Sequence, residues 1–139
     1  MPNQRRSFLK ILAATPLVAC AANSAAPEQF GDVPAGNVSD TSVGTLAPVS
    51  GAPAVLGRDE NGLYAMTNTC THQGCPVTPA AGATLYCSCH GSRFDSNGAV
   101  LSGPANGSLV HYAVTIDADG NITVNGATEV ASAVRTPIA

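Results

Sequence analysis

Short stretches of alternating apolar and polar residues, separated by turn residues, follow one another from about residue 41 onward. Residues 54–58 and 63–68 flank Asp-Glu-Asn-Gly, and residues 110–116 and 121–124 flank Asp-Ala-Asp-Gly. A period of two, bounded by Asp, Asn and Gly, is typical of β-strands joined by tight turns. The pattern therefore predicts two β-hairpins.

Two further strands are predicted between these hairpins, at residues 84–87 and at residues 100–101, which follow the turn sequence Asp-Ser-Asn-Gly. No segment after the first 20 residues keeps the period of an amphipathic helix. The sequence therefore predicts an all-β domain that begins at about residue 41. A C-terminal tail, residues 127–139, carries no clear structural signal.

Residues 20–41 precede this domain and are rich in Ala, Ser, Asn, Pro and Gly, without a hydrophobic period. Such a composition is typical of a flexible linker, and about 20 residues of it have an end-to-end distance of roughly 25 Å. We therefore expect a tether in front of the domain.

The N-terminus resembles a bacterial export signal. Gln-Arg5-Arg6-Ser-Phe-Leu-Lys resembles the twin-arginine motif, and residues 11–19 form an apolar run that is too short to span a bilayer. Leu-Val-Ala-Cys20 then resembles the lipoprotein cleavage motif. These features predict a signal peptide at residues 1–19, lipidation of Cys20 and a location at the periplasmic or extracytoplasmic face of a membrane. An uncleaved anchor is the alternative.

Charge narrows the range of partners. Without residues 1–19, three basic residues stand against nine acidic ones, which gives a net charge of −6. This balance argues against a nucleic-acid partner. It suits a basic electron-transfer partner, although a solvated surface is the simpler interpretation.

Four of the five cysteines and two of the three histidines lie between residues 70 and 90. Thiolates and imidazoles bind borderline and soft transition metals, so this concentration indicates a metal centre. A structural zinc site and a plain disulfide framework are the alternatives. Zinc leaves Cys75 and Cys89 without a role, and disulfides alone leave His72 and His90 unexplained.

The two clusters, Cys70-Thr-His72-Gln-Gly-Cys75 and Cys87-Ser-Cys89-His90-Gly-Ser92, resemble the cluster-binding loops of Rieske proteins. The resemblance implies a [2Fe–2S] cluster with two Cys ligands on one iron and two His ligands on the other. It also implies the Rieske fold over residues 42–126, in which antiparallel sheets carry the cluster loops at one tip. By residue, it assigns Cys70 and Cys87 to one iron, His72 and His90 to the other, and Cys75 and Cys89 to a disulfide between the loops.

The resemblance also identifies positions that tune the cluster. Ser92 stands where high-potential members place a hydroxyl that bonds a bridging sulfide, whereas Phe94 replaces their tyrosine. Gln73 replaces a leucine that is frequent in quinol-oxidising members, which weakens the case for quinol docking. Residues 101–105, Leu-Ser-Gly-Pro-Ala, resemble the third, proline-containing loop over the cluster.

These features predict one-electron transfer by an exported protein that is tethered to the membrane through its lipid anchor. The expected partner is a redox protein such as a cytochrome or an oxidoreductase subunit. The alternative is an electron-transfer subunit of a larger complex, quinol–cytochrome c reductase-like or arsenite-oxidase-like. An oxygenase site of two His and a carboxylate is excluded in this chain, because only His111 remains once the cluster takes two histidines.

Overall fold

A computed structural model describes residues 26–139, which form two antiparallel β-sheets and a single helical turn, Val38–Asp40. The predicted all-β class is therefore confirmed. No helix in this range is long and apolar enough to cross a membrane. The strands are β1 (Asp32–Asn37), β2 (Leu46–Pro48), β3 (Ala54–Asp59), β4 (Gly62–Thr67), β5 (Val77–Ala80), β6 (Thr84–Cys87), β7 (Arg93–Phe94), β8 (Val100–Ser102), β9 (His111–Ile116) and β10 (Asn121–Val130).

The larger sheet has six strands in the order β1-β10-β9-β4-β3-β2, and the smaller has four in the order β5-β6-β7-β8. The smaller sheet is inserted between β4 and β9, which pair with each other in the larger one. The chain therefore leaves the larger sheet at the end of β4, builds the cysteine-rich part, and returns at the start of β9.

Both predicted hairpins are present, and their turns are fixed by aspartate side chains. Asp59 accepts a hydrogen bond from the Asn61 amide, and Asp117 accepts bonds from the amides of Asp119 and Asn121. An aspartate that bonds the backbone two residues ahead stabilises a tight turn locally. The strands β3, β4 and β9 consequently begin and end within one residue of the predicted bounds.

Two apolar cores support the sheets. One packs within the larger sheet around Leu63, Tyr112 and Ile122, which are at most 1% exposed. The other joins the two sheets, and its fully enclosed members include Met66 and Phe94. This second core also contains Cys70 and Cys87, so the first cysteine of each loop packs against buried apolar side chains.

The structure corrects the part of the predicted tether that it describes, residues 26–41; the rest of the tether and the predicted signal peptide at residues 1–19 lie outside the described residues. Within it, β1 is an edge strand that pairs antiparallel with β10, and the helical turn follows directly. Phe30 packs edge-on against Tyr112 with ring centroids 5.1 Å apart, and the missing Cβ of Gly126 leaves room for the Phe30 ring. The sequence did not predict this strand, because an edge strand has to bury only alternate side chains and therefore needs no run of apolar residues.

The predicted end of the domain at residue 126 is also wrong. Strand β10 continues to Val130, and further on Thr136 forms an antiparallel bridge with Leu63. Both amide–carbonyl bonds of that bridge are made, at 2.9 and 2.8 Å. The C-terminal tail is therefore part of the fold.

Arg135 in this tail links both parts of the structure. Its guanidinium pairs with Asp59 at 2.5 Å, donates to the Asn97 side chain at 2.8 Å, and lies 4.0 Å from the centroid of the Tyr64 ring. Asp59 is the last residue of β3, where the β3–β4 turn of the larger sheet begins, and Asn97 belongs to the β7–β8 turn of the smaller one. The arginine therefore holds the two turns together.

His111 is buried next to this arrangement. Its ring stacks on Tyr64, its Nε2 donates to the Asn97 carbonyl at 2.9 Å, and its Nδ1 has no hydrogen-bond partner among the described residues. Burial lowers the pKa of His111, and nearby Arg135 lowers it further, against the opposing effects of the Asn97 carbonyl and Asp95. The native state therefore holds this imidazole neutral.

We expect the stability of the protein to fall as the pH falls below about 6.5, the usual pKa of histidine. In that range an unfolded chain binds a proton at His111, whereas the folded chain resists it, so acid favours unfolding. Thermal unfolding midpoints between about pH 5 and 8 measure the slope. His111→Gln, which has no imidazole to titrate, is expected to show a smaller slope; an unchanged slope in that variant contradicts the prediction.

Candidate metal centre

The two cysteine-rich loops close with the same pair of backbone hydrogen bonds. In the first, the amide of Cys70 bonds the carbonyl of Cys75, and the amide of Gly74 bonds the carbonyl of Cys70, both at 2.9 Å. In the second, the corresponding bonds run from Cys87 to the Ser92 carbonyl at 2.9 Å and from Gly91 to the Cys87 carbonyl at 3.0 Å. The two loops therefore share the same local backbone structure.

The glycine of each loop makes this closure possible. Gly74 and Gly91 have φ angles of +78° and +80°, in the left-handed region where a Cβ is unfavourable. Each glycine stands four residues after the first cysteine of its loop, so that its amide turns back to the cysteine carbonyl.

The first cysteines of the loops lie side by side in the core. Cys70 and Cys87 are each 1% exposed, both carry free thiols, and their side chains are within hydrogen-bonding contact. Burial raises the pKa of the Cys87 thiol, while hydrogen bonds from the backbone amides of Cys89 and His90 lower it. Amides that point at this sulfur are suited to stabilising it as a thiolate.

The two loop histidines form a second pair. The rings of His72 and His90 lie 4.7 Å apart, centroid to centroid, at an angle of 89°. His72 is half-buried and its Nδ1 is shielded from solvent without a hydrogen-bond partner among the described residues, whereas His90 is exposed. A buried imidazole nitrogen that bonds nothing in the protein is available as a metal ligand.

Cys75 and Cys89 are joined by a disulfide that connects the two loops across 14 residues of sequence. The sulfur atoms of Cys75, Cys87 and Cys89 lie within 4.8 Å of one another, a grouping that resembles a three-cysteine metal site. Because two of these sulfurs are bonded to each other, they carry no thiolate to offer a metal. The proximity instead shows that the disulfide packs next to Cys87.

A third loop covers the other two. The Thr71 hydroxyl donates to the Gly107 carbonyl at 2.7 Å, and the Ala105 amide donates to the Ser92 hydroxyl at 3.0 Å. Gly103 approaches so closely that a Cβ there would lie 2.5 Å from the Cα of Ser92. The segment that the sequence identified at residues 101–105 is therefore in place over the second loop.

The donor set fits a two-iron cluster with mixed ligands. Two buried thiols form one pair and two imidazoles form the other, and both pairs occupy the same end of the molecule. Four ligands shared between two metal ions do not have to converge on one point, unlike the ligands of a tetrahedral zinc ion. Sequence reasoning found these side chains but missed Thr71 and Gly103, which are recognisable only from their partners in the other loops.

Comparison with known proteins points in the same direction. The family model of the Rieske [2Fe-2S] domain matches residues 31–115. The iron-sulfur subunit of the cytochrome b6-f complex from Synechococcus sp. (strain CC9605) is 43% identical over 76 residues, which cover 54% of this chain and 42% of that subunit. Its counterpart from Synechococcus sp. (strain JA-3-3Ab) is 46% identical over 57 residues, 40% of this chain and 33% of that subunit. The matched regions thus span less than half of these relatives.

Solved structures resemble this one over most of its length. A chain from the complex of reduced oxygenase and oxidized ferredoxin in carbazole 1,9a-dioxygenase is 25% identical with a TM-score of 0.52, covering 72% of this chain and 97% of that one. The plasma membrane Rieske protein PetC3 from Synechocystis PCC 6803 is 29% identical with a TM-score of 0.48, covering 67% and 98%. With its paired thiols, its paired imidazoles and the family match over more than half of its residues, the chain belongs to the Rieske [2Fe-2S] domain family, and its cofactor is a Rieske-type [2Fe–2S] cluster.

Proposed function

We propose that this protein carries single electrons, with Cys70 and Cys87 holding one iron and His72 and His90 the other. The pairing of two buried thiols and, separately, two imidazoles is the observation that carries this assignment. The cluster supplies a reversible one-electron couple, whose potential is higher with two neutral imidazoles than with four thiolates. His90 is exposed, so its ring would offer the electron a path from the cluster to a partner.

The surrounding residues hold the ligands in place. The disulfide fixes the distance between the loops, the backbone bonds of each loop orient its cysteine, and the buried Ser92 hydroxyl connects the second loop to the third. Electron transfer is fastest when few atoms have to move, so a ligand set that the surrounding structure holds in place suits an electron carrier.

Export and membrane tethering are the second part of the proposal. The support is the order of the N-terminal motifs in the sequence together with the disulfide, since disulfides persist in oxidising compartments. Cys20, the proposed lipidation site, lies outside the described residues. Mass analysis of the mature protein tests this part: an acylated Cys20 at the N-terminus is expected, and an intact Met1 end contradicts it.

Membership of a larger complex is the alternative to a free carrier. It is favoured by the similarity to proteins that are named subunits of the cytochrome b6-f complex. Purification from mild-detergent extracts of membranes separates the two. Stable co-purification with a cytochrome or a molybdenum-containing subunit supports the complex, whereas a protein that elutes alone with full cluster content supports the carrier.

The ligand assignment is tested by spectroscopy of the purified protein. The reduced protein is expected to give a paramagnetic resonance signal with an average g value below that of the free electron. Cys70→Ser and His72→Ala are expected to lose this signal. His111→Gln, at a pH of about 8 where His111 is neutral, is the matched control and is expected to keep it. A silent, zinc-containing wild type overturns the proposal.

Ser92→Ala is expected to lower the reduction potential by tens of millivolts. The Ser92 hydroxyl is wholly buried and accepts the Ala105 amide, and its own proton has no acceptor among the described protein atoms. A hydrogen-bond donor that stabilises the reduced cluster by ~1 kcal/mol raises the potential of a one-electron couple by about 40 mV. Voltammetry measures the shift, with Ser108→Ala, an exposed serine near the third loop, as the control. Equal potentials in wild type and Ser92→Ala contradict this role.

Phe94→Tyr is expected to raise the potential by a similar amount. Phe94 is wholly enclosed in the core that contains Cys70 and Cys87, and it stands where high-potential Rieske proteins have a tyrosine whose hydroxyl bonds a cysteine ligand. A new donor to sulfur favours the reduced state. The same voltammetry, on protein shown to melt within a few degrees of wild type, measures the effect, and a lowered potential refutes it.

A further inference from the structure

Asparagine followed directly by glycine occurs four times in the chain, as Asn61-Gly62, Asn97-Gly98, Asn106-Gly107 and Asn125-Gly126. This dipeptide is chemically labile, because glycine has no side chain to keep its backbone nitrogen away from the asparagine side chain. Attack of that nitrogen on the side-chain carbonyl carbon closes a cyclic imide and releases ammonia. Hydrogen bonds that hold either group slow the reaction, since they must first be broken by a local opening of the structure.

The Asn97-Gly98 pair is held at both of its reacting groups. The Asn97 side-chain oxygen accepts a hydrogen bond from the Arg135 guanidinium at 2.8 Å. The Gly98 amide donates to the Asp95 carbonyl at 3.0 Å within the β7–β8 turn. Neither the carbonyl carbon nor the backbone nitrogen of this pair can therefore move without breaking a bond.

Two other pairs are held by aspartate side chains. The Asn125 side chain uses both of its polar atoms, accepting the Ala127 amide at 3.0 Å and donating to the Asp32 carboxylate. In the β3–β4 turn, the Gly62 amide is hydrogen-bonded to the Asp59 carboxylate. Each of the three pairs therefore has a hydrogen bond to a charged group that opposes the reaction.

The Asn106-Gly107 pair has no such restraint. Asn106 is exposed, and neither its side chain nor the Gly107 amide makes a hydrogen bond to the described residues. No atom outside the immediate neighbours lies within 4 Å of a Cβ built on Gly107, so the backbone there is open. The two reacting groups of this pair are accessible to each other and to water.

This pair lies between the two anchors of the third loop. The Ala105 amide, on one side, donates to the Ser92 hydroxyl of the second loop. The Gly107 carbonyl, on the other side, accepts the Thr71 hydroxyl of the first loop. A chemical change between these anchors therefore acts on both cysteine-rich loops.

We propose that Asn106 is a site of spontaneous deamidation, which places a carboxylate in the third loop of the metal centre. The Gly107 nitrogen bonds to Cγ of Asn106, and the side-chain nitrogen leaves as ammonia. Water then opens the imide at either of its carbonyls. One opening leaves aspartate, and the other leaves isoaspartate, in which the backbone runs through the former side chain. Water is the only co-reactant.

The new carboxylate changes the electrostatics of the loop. Residues 96–116 contain no Asp, Glu, Lys or Arg, so it introduces the first charge into this stretch. A nearby negative charge favours the oxidised cluster, and the reduction potential is therefore expected to fall. Isoaspartate also adds a backbone carbon before Gly107, which shifts the carbonyl that accepts Thr71. This consequence rests on the proposed electron transfer, whereas the modification itself does not.

Peptide mapping by mass spectrometry tests the site. The purified protein with its cluster is incubated in a mildly alkaline buffer, and each deamidation adds about 1 Da to the peptide. We expect Asn106 to convert at least about tenfold faster than any of the other three asparagines, because each of those pairs must first break a hydrogen bond to a charged group. An equal rate at another pair overturns the proposal. So does an Asn106 that is still intact when a synthetic peptide of residues 103–109 has converted.

Variants of the same pair separate the mechanism from the charge effect. Gly107→Ala keeps Asn106 but adds a methyl group beside the attacking nitrogen, so it is expected to slow the conversion several-fold; an unchanged rate contradicts the mechanism. Asn106→Asp introduces the charge at once and is expected to lower the potential. Asn106→Gln is the uncharged matched control and is expected to keep the wild-type potential. Equal potentials in these two variants overturn the charge effect.

Failure of the proposed function gives a different result. A protein that carries no electrons lacks the paramagnetic signal and the reversible couple, but its Asn106 still converts. A protein that has the signal and the couple, but whose Asn106 stays intact, keeps the function and loses only the modification site.

Discussion

Cys75→Ser is expected to lower the free energy of unfolding by about 3 kcal/mol, because it removes the disulfide that closes a loop of about 15 residues. The bridge joins the two cysteine-rich loops through Cys75 and Cys89, which are 14 positions apart. In a domain of this size the loss corresponds to a fall of roughly 10–20 °C in the melting temperature. Denaturant unfolding measures the stability of the protein, and the loss of visible absorbance on heating measures the loss of the cluster.

The loss of the disulfide is expected to destabilise the two cysteine-rich loops more than the sheets. Cys75 is half-buried against the core that contains Cys70 and Cys87, so the bridge holds these two proposed ligand cysteines as well as the chain. The cluster is therefore expected to be lost at a lower temperature than the sheets melt. Ser88→Ala, at an exposed position next to Cys89, is the control. Full retention of the cluster at the wild-type melting temperature contradicts a bracing role.

Strands bounded by local turns were predictable, and those that depend on distant partners were not. The turn after Asp59 forms from side-chain bonds within a few residues, so the sequence itself marks where β3 ends and β4 begins. Strand β1 has only half-exposed or exposed residues and exists because β10 offers it a partner more than 80 residues away. Phe30 was the one available signal, since an isolated aromatic in a low-complexity stretch requires a place to pack.

The same distinction separates the parts of the metal centre. The proposed ligand residues are recognisable from residue type and spacing, because Cys and His in that order supply the donors that a Rieske cluster requires. The residues that hold the loops together, such as Thr71 and Gly103, are chemically ordinary, and their roles arise from contacts across many positions. Arg135 was missed for the same reason, since its partners are 76 and 38 positions away.

Gly103→Ala is expected to destabilise the protein by about 2–4 kcal/mol, combining the cost of a left-handed backbone with that of an overlap in a packed site. Gly103 has a φ of +92°, and a Cβ there would lie 2.5 Å from the Cα of Ser92 and 2.9 Å from its nitrogen. Both atoms are backbone, so neither can rotate away. Denaturant unfolding measures the loss of stability.

The reduction potential of Gly103→Ala is a second measurement, because it depends on whether the third loop moves away from the second. If the third loop is pushed off the second, the bond from the Ala105 amide to the Ser92 hydroxyl is stretched, and the potential is expected to fall as in Ser92→Ala. Gly107→Ala is the matched control in the same loop: no atom outside its immediate neighbours lies within 4 Å of a Cβ there, and its φ is outside the left-handed region. Gly107→Ala is therefore expected to leave both stability and potential near wild type. Similar losses in the two alanine variants show that the loop tolerates no side chain anywhere, and contradict the specific contact between Gly103 and Ser92.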